Sequence, residues 1–314
     1  MNQDVKIKIA FWYHTCGMTQ DEIARRLGLT RQKVNAVIGS LREEGIVTVS
    51  VRGCEREHLD WEHLLEERFG LQQAIITPAY DSEEIAFFKA ANAAAQYLEQ
   101  IIDDGMTIGV SWGQTLAATV AEMRFARKPG CRVIQLMGAQ SMDGMSGKSD
   151  HIARLLAEKL DCASYTLYAP VLVSDPMTKT LLLREKSIRR SIDAMAECDI
   201  GLFGIGMLDT DAPMCRMGYL SEEDIARLND DGFCCDVAMN PVRRDGTVSG
   251  CFLENRIINA SPETIRQMKN AVGVASGVNK AAAVRAVLQS GMLNTLIIDS
   301  ALAAAVIRDM EELQ

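Results

Sequence analysis

From residue 72 onward the chain repeats one pattern, and that pattern constrains the fold more than any other feature. A short, continuously apolar run rich in β-branched residues is followed by a stretch with helical spacing. "QAIITP" (73–78) precedes "EEIAFFKAANAAAQYLEQII"; "MTIGVS", "RVIQLMG" and "CDIGLFGIG" follow, each ending in a glycine or a small polar residue, and "AVGVAS" and "LNTLIID" come late. Strands that are apolar throughout are buried on both faces, and strands separated by helices pair in parallel. The pattern predicts a doubly wound, mostly parallel α/β body whose ligands sit beyond the carboxyl ends of the strands.

One loop in that series stands out. In "MTIGVSWGQTL" (106–116) a strand ends near Ser111, Gly113 allows close approach of the backbone to a ligand, and Gln114 and Thr115 open an apolar helix. A helix N-terminus offers unpaired N–H groups and partial positive charge, so a phosphate or an array of sugar hydroxyls fits there. A nucleotide fits less well: the G-x-G-x-x-G spacing is absent and no Walker lysine follows. Glycine at strand ends also has a purely steric explanation. Three other stretches share this character. "LMGAQS" (136–141) and "GIGMLD" (204–209) end strands with glycine, and "CCDVAMN" (234–240) carries Asp236 inside an apolar run, where a carboxylate is costly unless hydrogen-bonded. In "SGVNKAAAV" (276–284) Lys280 sits in the first turn of a helix, opposing the dipole, which a bound anion explains better than helix stability. A structural Asp236 and a solvated Lys280 are the plainer alternatives.

The first fifty residues have a different character. Residues 1–53 carry eight basic and five acidic side chains, net +3, which leaves −12 for the remainder of a chain whose total is −9. A basic head on an acidic body can be offered to phosphates. Three helices are expected. The first spans 5–15 with Ile7, Ala10, Phe11 and His14 on one face; the second opens with the capping box Thr19–Glu22, buries Ile23, Ala24 and Leu27, and closes at Gly28. Thr30 caps the third, with Val34, Val37, Ile38 and Leu41 inside and Arg31, Gln32, Lys33, Asn35, Ala36 and Ser40 outside; "IVTVSV" (46–51) then alternates as a strand. Helix, capped helix, short turn, helix and strand compose a winged helix-turn-helix. Gln32 and Asn35 can pair with adenine and Arg31 and Lys33 with guanine. Thr19, Gln20, Thr30, Arg42 and Arg25 are placed to meet phosphates. A three-helix dimerisation bundle is the bland alternative. The segment 55–71, with Trp61, Leu64, Leu65 and Phe69, is expected to pack on the body and partly at a subunit contact.

The division expected is therefore 1–53 for DNA binding and 54–314 for effector binding and oligomerisation. Nine scattered cysteines without a C-x-x-C pair read as reduced thiols of a cytoplasmic protein. No metal is expected, since the four histidines lie near no cysteine cluster, and neither a membrane span nor a signal peptide is apparent.

The order helix-turn-helix, "IGVSWGQTL", "VIQLMG", "CDIGLFGIG", "GYLSEED", a strand with aspartate, then "SGVNKAAAVRAVLQSGMLNTLIID" resembles the SorC-type (SorC/DeoR-like) sugar-binding transcriptional regulators of bacteria along essentially the whole chain. The S-W-G-x-T element is its most specific part. The resemblance implies a C-terminal domain related in fold to sugar-phosphate isomerases and deaminases, used as a sensor, with no cofactor. It implies a sugar, polyol or sugar phosphate effector, operator DNA as partner, and a dimer or tetramer, commonly a repressor. Ser111, Gly113, Gln114 and Thr115 would hold the effector's phosphate or terminal hydroxyls, and Gly138, Asp236 and Lys280 would line the rest of the pocket. The chain departs from the pattern at Cys235, where members often have glycine, and at Met137, where some carry a lysine able to form a Schiff base. The competing reading is a sugar-phosphate isomerase-like enzyme with an appended N-terminal domain. It lacks the acidic loop and the histidine that such chemistry would use, so no enzymatic activity is expected.

Overall fold

The computed structural model describes residues 1–42, 44–47, 56–80, 82–139 and 147–311. The chain divides into two compact units, Met1–Cys54 and Glu55–Gln314.

In the N-terminal unit, helices span Gln3–Ala10, Gln20–Leu27 and Arg31–Ser40. The capping box forms: Glu22 N–H donates to Thr19 Oγ1 (3.3 Å) and Thr19 N–H to Glu22 Oε2 (2.8 Å). Gly28, at φ +63°, closes that helix, and Thr30 Oγ1 accepts from Lys33 N–H (3.3 Å) to start the next. Ile23, Ala24, Val34, Val37 and Leu41 pack with Ile9 and Ala10 into a small core. The first helix turns a different face inward from the one expected: Ile7 and Phe11 are 49% and 55% exposed, and His14 is exposed as well. After Ala10 the chain continues as a wider turn over Phe11–Thr15, closed by Cys16 N–H donating to Phe11 O (3.1 Å), five residues back. Before it, Val5 and Ile9 face the core in place of Ile7; beyond Ala10 the turn breaks the 3.6-residue period, and Trp12 and Tyr13 pack against the core instead of Phe11 and His14. Ile46 and Val47 also touch this core; the remainder of the strand expected over 46–51 lies outside the described residues.

The larger unit contains β1 (Gln73–Thr77), β2 (Thr107–Val110), β3 (Arg132–Gln135), β4 (Ala163–Tyr165), β5 (Ile200–Gly204), β6 (Gly206–Met207), β7 (Phe233–Val237), β8 (Asn240–Arg243), β9 (Asn270–Ala275) and β10 (Thr295–Asp299). Seven strands pair in the order β1-β10-β9-β5-β2-β3-β4, every pair parallel. Alternate residues of one strand feed separate cores. Val272, Val274 and Ile297 join one, with residues of the helices Glu83–Ile101, Gln114–Glu122 and Ser149–Leu160; Ala271, Ala275, Leu296 and Ile298 join the other, with residues of Ala281–Ser290 and Ser300–Glu311. Burial on both faces explains why these strands read as unbroken apolar runs.

The β6-β7-β8 sheet is antiparallel, a separate layer that the strand pattern does not reveal. Its strands are short, and β7 and β8 are joined by a two-residue turn, Ala238 and Met239, both at positive φ (49° and 65°), as a hairpin turn of this length demands. The Arg56–Phe69 helix lies on the edge strand β1. Glu66 accepts from Ala74 N–H (2.8 Å) and Glu62 from Ile76 N–H (2.7 Å), so the edge's outward donors are satisfied. Leu65 is fully buried and Trp61 and Phe69 pack on the main core, leaving Leu59 and Leu64 as the exposed apolar residues of that helix. The helix thus binds the body, and the expected four-residue contact stripe is not available as a whole.

Candidate functional site

Strand order determines where a ligand can enter. β2, β3 and β4 run outward in one direction, while β5, β9 and β10 extend in the other, so the order reverses between β2 and β5. At such a switch point the connections leave to opposite faces and a crevice opens beyond the carboxyl ends. A cavity of about 410 Å³ occupies that position, with Trp112, Gly113, Gln114 and Thr115 after β2, Gly204, Ile205 and Gly206 after β5, and Asn279 and Lys280 after β9 among its walls.

The 112–115 wall is a helix N-terminus. Gly113 has φ 122° and ψ 158°, a region in practice reserved for glycine, and precedes the Gln114–Glu122 helix. The first intrahelical bond runs from Ala117 N–H to Gly113 O (3.0 Å), so the helix presents its leading N–H groups at residues that line the cavity. Gly113 N–H donates to Gly147 O (2.8 Å), which holds the loop in place.

Asp236 and Lys280 form the polar floor. Asp236 is buried; its Oδ2 accepts from Met239 N–H (2.9 Å), and a Cβ at Gly206 would meet its Oδ1 at 2.2 Å, so any side chain there would displace the carboxylate. Burial raises its carboxyl to about 6, opposed by the Met239 hydrogen bond and the Lys280 charge. Lys280 Nζ donates to Ile205 O (3.1 Å), and burial holds its ammonium below the ordinary lysine value, opposed by Asp236. A half-buried lysine whose hydrogen bond to a carbonyl uses one of three N–H donors retains capacity for an anionic ligand. Around this floor the cavity mixes charges: Lys148 and Arg216 are its other cations, Asp209 and Asp211 its other carboxylates.

Of the residues expected to bind the effector, Gly113, Gln114, Thr115, Asp236 and Lys280 meet at the cavity, while Ser111 and Gly138 do not line it. Ser111 is wholly buried beneath the loop: its N–H donates to Leu202 O (3.0 Å), tying β2 to β5, and its Oγ has no partner among the described residues. Gly138 is a glycine for packing reasons. A Cβ there would meet the Pro170 carbonyl and Val171 nitrogen at 2.5 Å. Met137 is buried in a neighbouring core. Sequence reasoning does not single out Trp112, Lys148, Asp209, Arg216 or Asn279. Trp112, Asp209 and Asn279 stand inside the quoted stretches and could be found there, whereas nothing local marks Lys148 or Arg216.

On the N-terminal unit, Thr19, Thr30, Arg31, Gln32, Lys33, Asn35 and Arg42 are exposed and Gln20 is half-buried. Two internal contacts qualify the expected base readers. Gln20 Nε2 donates to Asn35 Oδ1 (3.0 Å), so a bidentate contact from Asn35 to adenine requires this bond to break, and Arg31 lies 3.7 Å from Asp21. Ser40 is not a reader: it is half-buried and its hydroxyl donates to Val37 O (3.1 Å).

Two family models match the chain. Residues 56–308 match the family described as "Putative sugar-binding domain", and residues 12–67 match the Crp-like helix-turn-helix domain. The chain is 28% identical to the erythritol catabolism regulatory protein EryD of Brucella abortus, covering 95% of each chain. It is 26% identical to the deoxyribonucleoside regulator of Bacillus subtilis, covering 98% of each. Among solved structures, a DeoR family transcriptional regulator from Listeria monocytogenes superposes with a TM-score of 0.73 at 29% identity, covering 80% of this chain and 99% of that one. The full-length sorbitol operon regulator SorC from Klebsiella pneumoniae shares the fold over 98% of this chain and 100% of its own, with a TM-score of 0.76 at 23% identity. A family model that spans most of the body, joined to a DNA-binding module of the right kind, leaves one conclusion: the chain belongs to the SorC-type family of sugar-binding transcriptional regulators.

Proposed function

We propose that the chain regulates transcription of carbohydrate-metabolism genes by binding operator DNA through residues 1–53, with the cavity of the larger unit taking a sugar, polyol or sugar phosphate as effector. The observation that carries the ligand reading is the construction of the cavity. A helix N-terminus, a half-buried lysine and a buried carboxylate converge at the sheet's switch point. In this reading the N-terminus at Gly113, Gln114 and Thr115 holds the anionic or hydroxyl-rich end of the effector, Lys280 adds positive charge, and Asp236 accepts hydroxyl hydrogens. Trp112 supplies an apolar wall for the carbon skeleton. The exposed face of Arg31–Ser40 reads base edges, and an even-numbered oligomer supplies two half-sites one helical turn, or a multiple of it, apart.

Thermal shift of the full chain against a panel of sugars, polyols and their phosphates tests the effector. A ligand at about a hundred times its Kd adds about 2.7 kcal/mol to the native state. Lys280→Ala should weaken the hit by about 1.5–3 kcal/mol, the range for a hydrogen bond to a charged group, and leave DNA affinity without effector unchanged. A hit that binds parent and variant equally well, measured by calorimetry, would place the site elsewhere.

A further inference from the structure

The β7 strand carries a second chemistry one residue from Asp236. Phe233 pairs with Arg243, but Cys235 already pairs with Val242, so Cys234 is an inserted bulge residue with no partner position on β8. In a regular strand adjacent side chains point to opposite faces. The bulge cancels that alternation, and the sulfurs of Cys234 and Cys235 stand 3.8 Å apart in hydrogen-bonding contact, both facing the Val242 carbonyl (3.7 and 3.9 Å). Cys235 is buried and its sulfur also contacts Ala283 O (3.5 Å), on the helix that begins just after Lys280; Cys234 is half-buried and so reachable. Arg244 and Arg285 bring positive charge to Cys234, and the Nε of Arg285 has no acceptor among the described residues.

We propose that Cys234 is a thiol-exchange site: its sulfur attacks small disulfides and carries the resulting mixed disulfide, and the contact in which Cys234 Sγ donates to Cys235 Sγ reverses on ionisation, so that Cys235 donates to the thiolate. In the exchange, the Cys234 thiolate forms a bond to one sulfur of R–S–S–R and the original S–S bond breaks. The departing R–S⁻ leaves with the electron pair and takes a proton from water, so Cys234 is oxidised and one half of the disulfide reduced. Cys235 is ill placed to expel the adduct. Adjacent Cα atoms lie about 3.8 Å apart, below the separation of roughly 4.4–6.8 Å at which disulfides ordinarily close. The neighbourhood agrees. The contact with Cys235, aided by Arg244 and Arg285, draws the Cys234 thiol down to about 7, while Cys235, beside Cys234 and Asp236 and buried, is pushed up. An adduct on Cys234 displaces the neighbouring Cys235 sulfur from Ala283 O on the Ala281–Ser290 helix, and so disturbs the packing of β7, which carries Asp236, against the helix that Lys280 immediately precedes. The exchange therefore tunes the cavity. This link rests on the effector reading above, while the reactivity is measured with no effector present, so the two can fail separately.

The test uses the reduced full chain, glutathione disulfide at pH 6–8.5, and peptide mapping with time. Cys234 should carry the first adduct, ahead of exposed Cys16 and half-buried Cys215, at a rate about five-fold that of an ordinary thiol at neutral pH, the gain in thiolate outweighing its lower nucleophilicity. Cys235→Ala should move the half-maximal rate to higher pH, and Cys234→Ser should abolish the adduct at that position while leaving the fold intact by circular dichroism. First modification at Cys16, or the same pH profile in parent and Cys235→Ala, would overturn the site. Hydrogen exchange of the singly modified protein should rise at 234–243 and 278–286; unchanged exchange there would overturn the link to the cavity.

Discussion

Asp236 ties the stability of the body to pH. Its carboxyl is raised from 3.8 to about 6 by burial, so between those pH values the folded protein holds a proton that the unfolded chain has released. Stability contributed by the neutral acid is present in full below pH 4 and is lost as pH rises through 6; by linkage the loss is about 3 kcal/mol. Asp236→Asn keeps the acceptor for Met239 N–H without the charge. Its melting temperature should exceed that of the parent above pH 6, with the difference vanishing near pH 4. A difference independent of pH would show that the carboxylate is not the source. The ionised form is therefore retained at a standing cost, which is expected of a group kept to meet a ligand.

At the scale of elements, two glycines that look alike in the sequence serve different ends. Gly113 has open space where a Cβ would go, but its φ of 122° is one that other residues rarely adopt; Gly138 has ordinary backbone angles but no space. Gly113→Ala should cost about 1–3 kcal/mol of backbone strain and, by re-aiming the helix N-terminus, weaken effector binding. Gly138→Ala, at equal or greater cost in denaturant unfolding, should leave the effector affinity of the folded fraction unchanged. Equal affinity in Gly113→Ala and parent would remove the helix N-terminus from the proposed site. The capping boxes and the strand runs are legible in the sequence because each is settled by residues within four positions of one another, as Thr19 and Glu22 are. The inward face of the first helix is not: Val5 and Ile9 turn inward in place of Ile7, and the wide turn at Phe11–Thr15 then carries Phe11 and His14 off the expected line.

At the scale of the molecule, a net charge of −9 overall with +3 in the first fifty-three residues makes DNA association a matter of local charge. Binding of the intact protein to its own promoter region should fall steeply with salt. Arg42→Ala should flatten the slope of log K against log salt by about 0.9, one phosphate contact, and weaken all sequences alike. Replacing Gln32 and Asn35 together with alanine should instead relax sequence preference, by about 1–3 kcal/mol for each base-reading side chain removed. An absence of salt dependence in a gel shift, or a monomer by light scattering with DNA binding intact, would count against the proposed mode.

What the sequence determined by itself depends on near neighbours: where the strands of the parallel sheet and most helices form, where the Thr19 and Thr30 caps lie, and that strands joined by helices pair in parallel; for Gly113, Asp236 and Lys280 it offered a ligand reading beside a plainer structural one. What the tertiary structure alone decided was which of those segments meet. The order β1-β10-β9-β5-β2-β3-β4 arises from pairings between residues as far apart as Gln73 and Thr295, and no local pattern encodes them. That order puts the ends of β2, β5 and β9 around one cavity, brings Asp209 and Arg216 to it, and leaves Ser111 beneath it and Gly138 outside it. A buried polar group announces its cost in the sequence; the partner that offsets the cost is chosen by long-range packing.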